Sequence, residues 1–544
     1  MTKASQEQEP AGPVIALDYD AVVIGAGFAG MYMLHQLRRH GFTAHGFETG
    51  TDVGGTWYWN RYPGARCDVE SLAYSYSFDE DLMQEWDWTE RYATQPEILR
   101  YAEHVADRFD LRRDITFGTR VASAVFDEAN GSWLITCDGG EQFRSRYCIT
   151  AVGCLSAGRV PQWPGLERFR GQRLHTGAWP HEPVDFSGKR VAVIGTGSSG
   201  IQVIPRIAAQ AAALTVFQRT ANYSLPARNR PLGEQEQKDV KAHYPEIRRR
   251  AALSAAGVDI PYGRYATTEV SPEQIQQELE LRWQQGGNLF LTTFTDLLRD
   301  LDANAHAAEF VRTKIAQTVK DPAVAELLSP RDHPIGSKRI CVDTDYFETF
   351  NQDHVTLVDA RAHPIVEITE TSIRTDAGEY EVDALVFATG YDAMTGPLTR
   401  IDLRGRGGQT ITEKWHAGPL TYLGLATSGF PNLFIITGPG SPSVLANVIA
   451  SIEQHVDWIT DLLEFMRAGD LHTAEAETDA ENRWVQHVNE VSTYTLYPHA
   501  NSWYLGANIP GKPRVFMPYA GGLGAYRAKC DEVAKADYPG FILS

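Results

Sequence analysis

Read for the placing of its apolar positions, the chain begins with a short, almost continuous run, Tyr19-Asp-Ala-Val-Val-Ile24. Glycines follow at once, and then an apolar stripe of helical period over Met31–His40. That order predicts a buried strand, a tight turn and a helix, with a second strand at Thr43–Phe47. The same order returns at Lys189–Ile194, with a helix over Ile201–Ala209 despite Pro205 and a second strand at Leu214–Gln218. Between the two units, a helical and amphipathic pattern is expected from Asp81 to about Arg113, and Pro96-Glu97 opens one helix in it. Short strands are expected at Val121–Asp127, Trp133–Cys137 and Tyr147–Val152. From Pro226 to Pro330 the pattern turns charged and helical. Within it Ser271-Pro272-Glu-Gln274 carries a Ser cap, a first-turn Pro and a Gln that completes a capping box. The basic triplet Arg248 to Arg250 reads as a solvated helix face. A strand candidate, Glu381–Phe387, then runs into Ala388-Thr389-Gly390, and a helix is expected over Val448–Arg467.

The two turns carry the chemistry. Gly25-Ala-Gly27-Phe-Ala-Gly30 and Gly195-Thr196-Gly197-Ser-Ser-Gly200 share one spacing. In such a loop the first glycine makes the turn, the second lets the backbone approach a pyrophosphate, and the third lets the helix pack on the strand, with the helix N-terminus facing the phosphates. The two units part at the end of the next strand. Glu48 stands 23 positions after Gly25, where a carboxylate accepts hydrogen bonds from a ribose diol. Arg219 and Thr220 occupy the matching place after Gly195, where a cation and a hydroxyl suit a ribose 2′-phosphate. Two such units with opposite ribose readers imply FAD and NADPH in one polypeptide. The expected fold class is therefore α/β: two Rossmann-like dinucleotide-binding domains, with an all-helical insertion in the NADP domain. The boundaries read as a tail over 1–17, an FAD domain over 18–154 and 391–544, an NADP domain over 155–225 and 331–390, and the insertion over 226–330.

Charge and cysteines narrow the partners. A net charge of −19 argues against a nucleic-acid or anionic-membrane surface. The six cysteines are scattered without a Cys-x-x-Cys pair, so neither a metal site nor a disulfide reductase is suggested, and reduced thiols fit a cytoplasmic protein. Met1 to Pro13 is polar and acidic, which reads as a tail and not a signal peptide. No run of about 18 apolar residues is long enough to span a membrane.

Beyond these features, Phe169-x-Gly171-x-x-x-His175-x-x-x-Trp179-Pro180 resembles the fingerprint of the type I Baeyer–Villiger monooxygenases, flavoenzymes that insert one oxygen of O2 beside a ketone carbonyl. Gly55-x-Trp57-x-x-x-x-Tyr62-Pro63-Gly64-x-x-x-Asp68 is similar to their second motif. The resemblance runs from about Asp18 to the C-terminus. Pro-Gly-Ser-Pro-Ser443 and Asn501-Ser-Trp-Tyr-Leu-Gly-Ala-Asn508 look most like the phenylacetone and steroid members. It implies that NADPH reduces FAD, that O2 adds at flavin C4a, and that the resulting peroxyflavin attacks the ketone to give an ester or lactone, with sulfides as further substrates. Arg339 and Asp68 would be the catalytic pair. FAD would meet Gly25, Gly27, Phe28, Gly30, Glu48, Thr56, Trp57, Asp68, Tyr74 and Val121. NADP would meet Arg66, Gly195, Thr196, Gly197, Ser198, Ser199, Gly200, Gln202, Arg219, Thr220, Lys338, Arg339 and Trp503. Cys154, Leu155, Ser443, Val444 and Leu445 would line the substrate pocket. His175 is expected to be structural or conformational before it is a proton carrier. Phe347 stands where that family often has a second tyrosine.

Two other readings stay open: a flavin N- or S-monooxygenase sharing both nucleotide units, and an idle FAD- and NADP-binding sensor. The expected partners are a small ketone and O2, with no nucleic acid and no membrane, and the chain is expected to be a monomer.

Overall fold

A computed structural model describes residues 16–544. The tail expected over 1–17 lies almost wholly outside them. Two sheets organise the rest, the first mixed and the second all parallel. In the first, Tyr19–Ile24 pairs in parallel with Ala44–Phe47 on one side and Gln142–Thr150 on the other. Beyond these lie Ser132–Cys137, Val121–Asp127 and Asp402–Arg404, with Ile115–Thr116 at the opposite edge and Leu433–Ile435 also on Gln142–Thr150. In the second, five parallel strands run in the order Val355–Asp359, Ala213–Gln218, Arg190–Ile194, Ala384–Phe387 and Gln172–His175. Parallel strands covered on both faces need apolar side chains on both, which is why Ala21-Val-Val and Val191-Ala-Val are unbroken and fully buried. Helix Phe28–Arg39 packs against the long helix Val448–Ala468, whose N-cap Asn447 accepts a hydrogen bond from the Ile449 N–H.

The charged stretch folds as five helices of at least seven residues: Glu234–Ala242, Tyr244–Leu253, Pro272–Gln285, Leu301–Thr318 and Pro322–Leu328. The capping box at Ser271 is present in both directions: the Gln274 N–H donates to Ser271 Oγ at 3.3 Å, and the Ser271 N–H to Gln274 Oε1 at 3.0 Å.

Four expectations need correction. Asp81 to Arg113 is not helical throughout: Pro96-Glu97 opens the expected helix, Gln95–Arg108, but before it only Glu80–Glu85 is helical, because the residues between them bond elsewhere. Thr89 gives its N–H and hydroxyl to the Glu97 carboxylate, and the Arg91 N–H goes to the Arg230 carbonyl. The strand expected at Tyr147 starts at Gln142, since antiparallel pairing with Ser132–Cys137 holds its polar first half. The strand expected over Glu381–Phe387 starts only at Ala384; Val382 and Asp383 turn their N–H groups to Thr371 and Arg190. Arg248 is not solvated. Its guanidinium donates to the carbonyls of Leu72 and Ala73 and to Ser75 Oγ, and it lies 5.0 Å from the Tyr244 ring. Arg249 and Arg250 do stay on the surface.

Candidate functional site

The two glycine loops are built alike down to single atoms. Gly25 has φ +105° and donates to the Phe47 carbonyl; Gly195 has φ +110° and donates to Phe217. A Cβ on Gly25 would lie 2.6 Å from the Ala151 carbonyl oxygen, and one on Gly195 would lie 2.4 Å from that of Ala388. A Cβ on the third glycine, Gly30 or Gly200, would overlap the carbonyl oxygen of the first. Only glycine fits at either place. At Gly197, by contrast, a Cβ would meet nothing within 4 Å, so the backbone faces open space where a pyrophosphate would lie. Ser198, Ser199 and Gly200 begin helix Ser198–Ala208, as Phe28 begins Phe28–Arg39.

The first cradle suits a flavin nucleotide. Glu48 is buried at its strand end and takes the Ala26 and Gly50 N–H groups at 2.8 and 2.7 Å. A carboxylate has about four lone-pair sites, so acceptor capacity is left for a ribose diol. Thr56 and Trp57 open the short helix Thr56–Trp59, and the Trp57 indole N–H donates to the Tyr74 hydroxyl at 3.1 Å. Val121 is buried in the same apolar cluster as Phe47.

Asp68 and Arg339, 271 positions apart, meet. Arg339 Nε donates to Asp68 Oδ2 at 2.9 Å, Nη2 donates to Oδ1, and Nη1 reaches the Val444 carbonyl at 2.7 Å. Burial alone would lower the pKa of this guanidinium; Asp68 outweighs that and holds it above its usual value. Three of five N–H donors are thus used, and two are uncommitted. The Val444 bond leads to the residues expected to line the substrate pocket. Cys154, Val444, Leu155 and Leu445 lie in one apolar cluster, and the buried Ser443, at φ 42°, directs its hydroxyl to Met394 Sδ at 3.6 Å. Met394, Tyr504, Phe516 and Met517 complete this wall and were not found from sequence. Met394, Phe516 and Met517 come from segments with no motif of their own, whereas Tyr504 follows Trp503 in the Asn501–Asn508 stretch. Trp503 sits beside them, its ring 4.4 Å from that of Tyr504.

At the ribose end of the second cradle, Arg219 is exposed, and Thr196 Oγ1 donates to the Thr220 carbonyl at 3.1 Å. Lys338 is half-buried, and burial lowers its pKa. Two residues of the NADP set are occupied by the protein itself. The Arg66 guanidinium binds Glu90 and the Tyr92 carbonyl, while the Gln202 amide accepts from the Tyr62 hydroxyl and the Arg66 N–H and donates to the Arg66 carbonyl.

Each fingerprint residue has a local reason. A Cβ on Gly171 would lie 2.3 Å from the Asp383 carbonyl and 2.6 Å from the Phe169 ring, which is buried beneath it. Strand Gln172–His175 can therefore close on Ala384–Phe387. His175 Nδ1 accepts the Gly177 N–H at 3.0 Å, so Nε2 carries the proton and donates to the Arg159 carbonyl at 3.2 Å. Burial lowers its pKa, consistent with a neutral ring. Thr389 also donates to the Arg159 carbonyl, and Arg159 Nη1 reaches the Asn508 carbonyl at 2.7 Å. Arg159, carried by no motif, joins the fingerprint to the C-terminal loop. The Trp179 N–H donates to the Trp59 carbonyl, and Pro180 comes next, half-buried.

Among the described residues no group of His, Cys, Asp and Glu could hold a metal, all six cysteines are free, and no helix is long and apolar enough to cross a membrane.

The flavin-binding monooxygenase-like family matches residues 19–230. A Baeyer–Villiger monooxygenase of Pseudooceanicola batsensis is 44% identical over 532 residues, 97% of each chain. A phenazine N-monooxygenase of Lysobacter antibioticus is 43% identical, over 96% of this chain and 97% of its own. A solved structure of an oxidized steroid monooxygenase bound to NADP superposes with a TM-score of 0.92 at 52% identity, over 96% of this chain and 99% of that one. Matched over nearly its whole length in sequence and in structure, the chain belongs to the Baeyer–Villiger monooxygenases, flavoproteins that work with FAD and NADP(H).

Proposed function

We propose that this chain converts ketones into esters or lactones. One oxygen atom of O2 enters beside the carbonyl carbon, the other leaves as water, and NADPH supplies the two electrons. The observation that carries this reading is Arg339, fixed by Asp68 and the Val444 carbonyl beside an apolar cluster with two N–H groups uncommitted. When bound, FAD takes hydride from NADPH and activates O2. The chain's own residues then have four tasks. Gly25, Gly27, Gly30 and Glu48 hold the FAD diphosphate and ribose. Arg339 faces the negative charge that develops on the substrate oxygen, a preorganised donor that needs no rearrangement. Asp68 orients it. Cys154, Leu155, Val444 and Leu445 exclude water and set the shape admitted.

Lys338, Arg219 and Thr220 meet the 2′-phosphate, Trp503 covers the cofactor from the C-terminal loop, and Arg66 with Gln202 holds the segment beneath it. The domain division 18–154 with 391–544, 155–225 with 331–390, and 226–330 follows the two sheets and the helical stretch. The chain would act on small molecules and O2 as a monomer in the cytoplasm, a compartment with which six free cysteines accord. Sulfides would be oxidised in the same pocket. Oxidation at an aromatic nitrogen is the second reading, favoured by the likeness to phenazine N-monooxygenase.

Purified enzyme, NADPH and a panel of aryl, cyclic and steroidal ketones, with a sulfide and a phenazine, test this by chromatography of products. Ester or lactone formed in step with NADPH oxidation is expected. N-oxide from the phenazine with no ester from any ketone would favour the second reading, and no O2-dependent NADPH consumption at all would remove both.

A further inference from the structure

We propose that Arg361 is a third reader of the nicotinamide cofactor's 2′-phosphate, acting with Arg219 and Lys338 on a dianion; this rests on placing that phosphate at Arg219 and Thr220. Arg361 lies just past strand Val355–Asp359, which pairs in parallel with Ala213–Gln218, Asp359 beside Gln218. The two strand ends therefore deliver Arg361 and Arg219 to one edge, although 142 positions separate them in sequence.

Its guanidinium is held by three bonds. Nε donates to the Arg219 carbonyl at 3.1 Å, and Nη2 donates to Thr220 Oγ1 at 2.9 Å and to Asp332 Oδ2 at 2.7 Å. Both hydrogens of Nη1 are uncommitted, and the side chain is 57% exposed, so a fixed pair of donors faces solvent beside Arg219. Because Arg361 donates to the Thr220 oxygen, the hydroxyl's own hydrogen is free to point outward. One side chain thus sets the backbone of the first reader and the hydrogen direction of the second.

Charge supports the same ligand. Lys338 is half-buried with no hydrogen bond or ion pair among the described residues, and burial lowers its pKa, Asp332 raising it and Arg361 and Arg219 lowering it further. Arg219, Lys338 and Arg361 bring three cations to this edge, where Asp332 pairs with the Arg361 guanidinium and Asp359 takes the Arg361 backbone N–H. The excess of positive charge suits a phosphate monoester, which carries about −1.5 to −2 at neutral pH. A ribose diol would neutralise none of it.

Calorimetric titration of the FAD-loaded enzyme with NADP+, NAD+, 2′,5′-ADP and 5′-AMP tests the proposal through binding alone. In Arg361→Ala, dissociation constants for NADP+ and 2′,5′-ADP should rise about 10- to 100-fold, the range of a lost charge-assisted contact, with NAD+ and 5′-AMP within twofold. Arg361→Lys, which keeps the charge without the fork, should recover part of the loss. Weakening of all four ligands alike in Arg361→Ala would mean a merely structural residue and would overturn the proposal. So would unchanged 2′,5′-ADP binding in Arg361→Ala while Arg219→Ala still loses it. If Arg219→Ala also binds 2′,5′-ADP normally, the placing of the phosphate fails instead.

Discussion

Arg339 carries the sharpest demand on a single side chain. It satisfies Asp68 with two donors and the Val444 carbonyl with a third, so its position is set from both the Asp68 side and the Val444 loop. Arg339→Ala should fold, bind FAD and be reduced at least slowly by NADPH, yet form ester about 10²–10³-fold more slowly, the usual effect of removing one stabilising donor. Arg339→Lys keeps a charge but not the fork to Asp68, and should fall between the two. Product yield read beside flavin absorbance separates these outcomes; a folded Arg339→Ala enzyme with near wild-type ester yield would sink the role given to it. The pocket residues make a different prediction. The side chains of Val444 and Leu445 offer only shape, so their replacement, which keeps the Val444 carbonyl, should shift substrate range and regiochemistry while reduction by NADPH stays normal. Equal loss of both activities would mark the loop as a support of the fold.

Among elements, those with a local signal were legible in the sequence. The strand–glycine–helix order at Gly25 and Gly195 needs only apolar runs and three glycines, and the box at Ser271 needs only four residues. Elements held from outside were not. Trp86 to Tyr92 has helical periodicity but bonds to Glu97 and Arg230, and Gln142 to Arg146 is polar yet lies in a sheet. The site divides the same way. Asp68 and Arg339 came from the resemblance, whereas Met394, Phe516, Arg159 and Arg361 are assembled by tertiary contacts alone. At this scale two substitutions should part company. Gly171→Ala puts a methyl group into the Asp383 carbonyl and the Phe169 ring, and should cost about 1–3 kcal/mol while freeing the edge strand Gln172–His175. Ser271→Ala removes one cap on the helical insertion and should cost about 1 kcal/mol with activity unchanged. Thermal midpoints and turnover of both variants check this.

Across the whole molecule, pH links two distant groups with opposite effects. Asp343 ends strand Cys341–Asp343, which pairs with Ser224–Pro226 where the second sheet meets the helical insertion. Burial pushes its carboxyl up to about 7, Ser224 opposing and Glu348 and Asp345 adding to the rise. Its unfolded value is about 3.9, so the folded chain binds the extra proton between pH 4 and 7, and stability from this group is lost as pH rises through that window. His455 lies in helix Val448–Ala468 against the first sheet, and its Nδ1 accepts the Thr437 N–H at 2.9 Å. Burial holds it down to about 3. Here the unfolded chain binds the extra proton below about pH 6.5, so stability is lost as pH falls. Each slope is about 1.4 kcal/mol per pH unit, and between pH 4 and 6.5 the two nearly cancel. Asp343→Asn removes one arm. Relative to wild type it should gain stability steadily from pH 4 to 7 and hold that gain above, whereas His455→Gln should gain only toward acid. Urea midpoints between pH 4.5 and 8 decide it: an Asp343→Asn offset that does not change with pH would mean that the carboxyl is already charged in the folded protein.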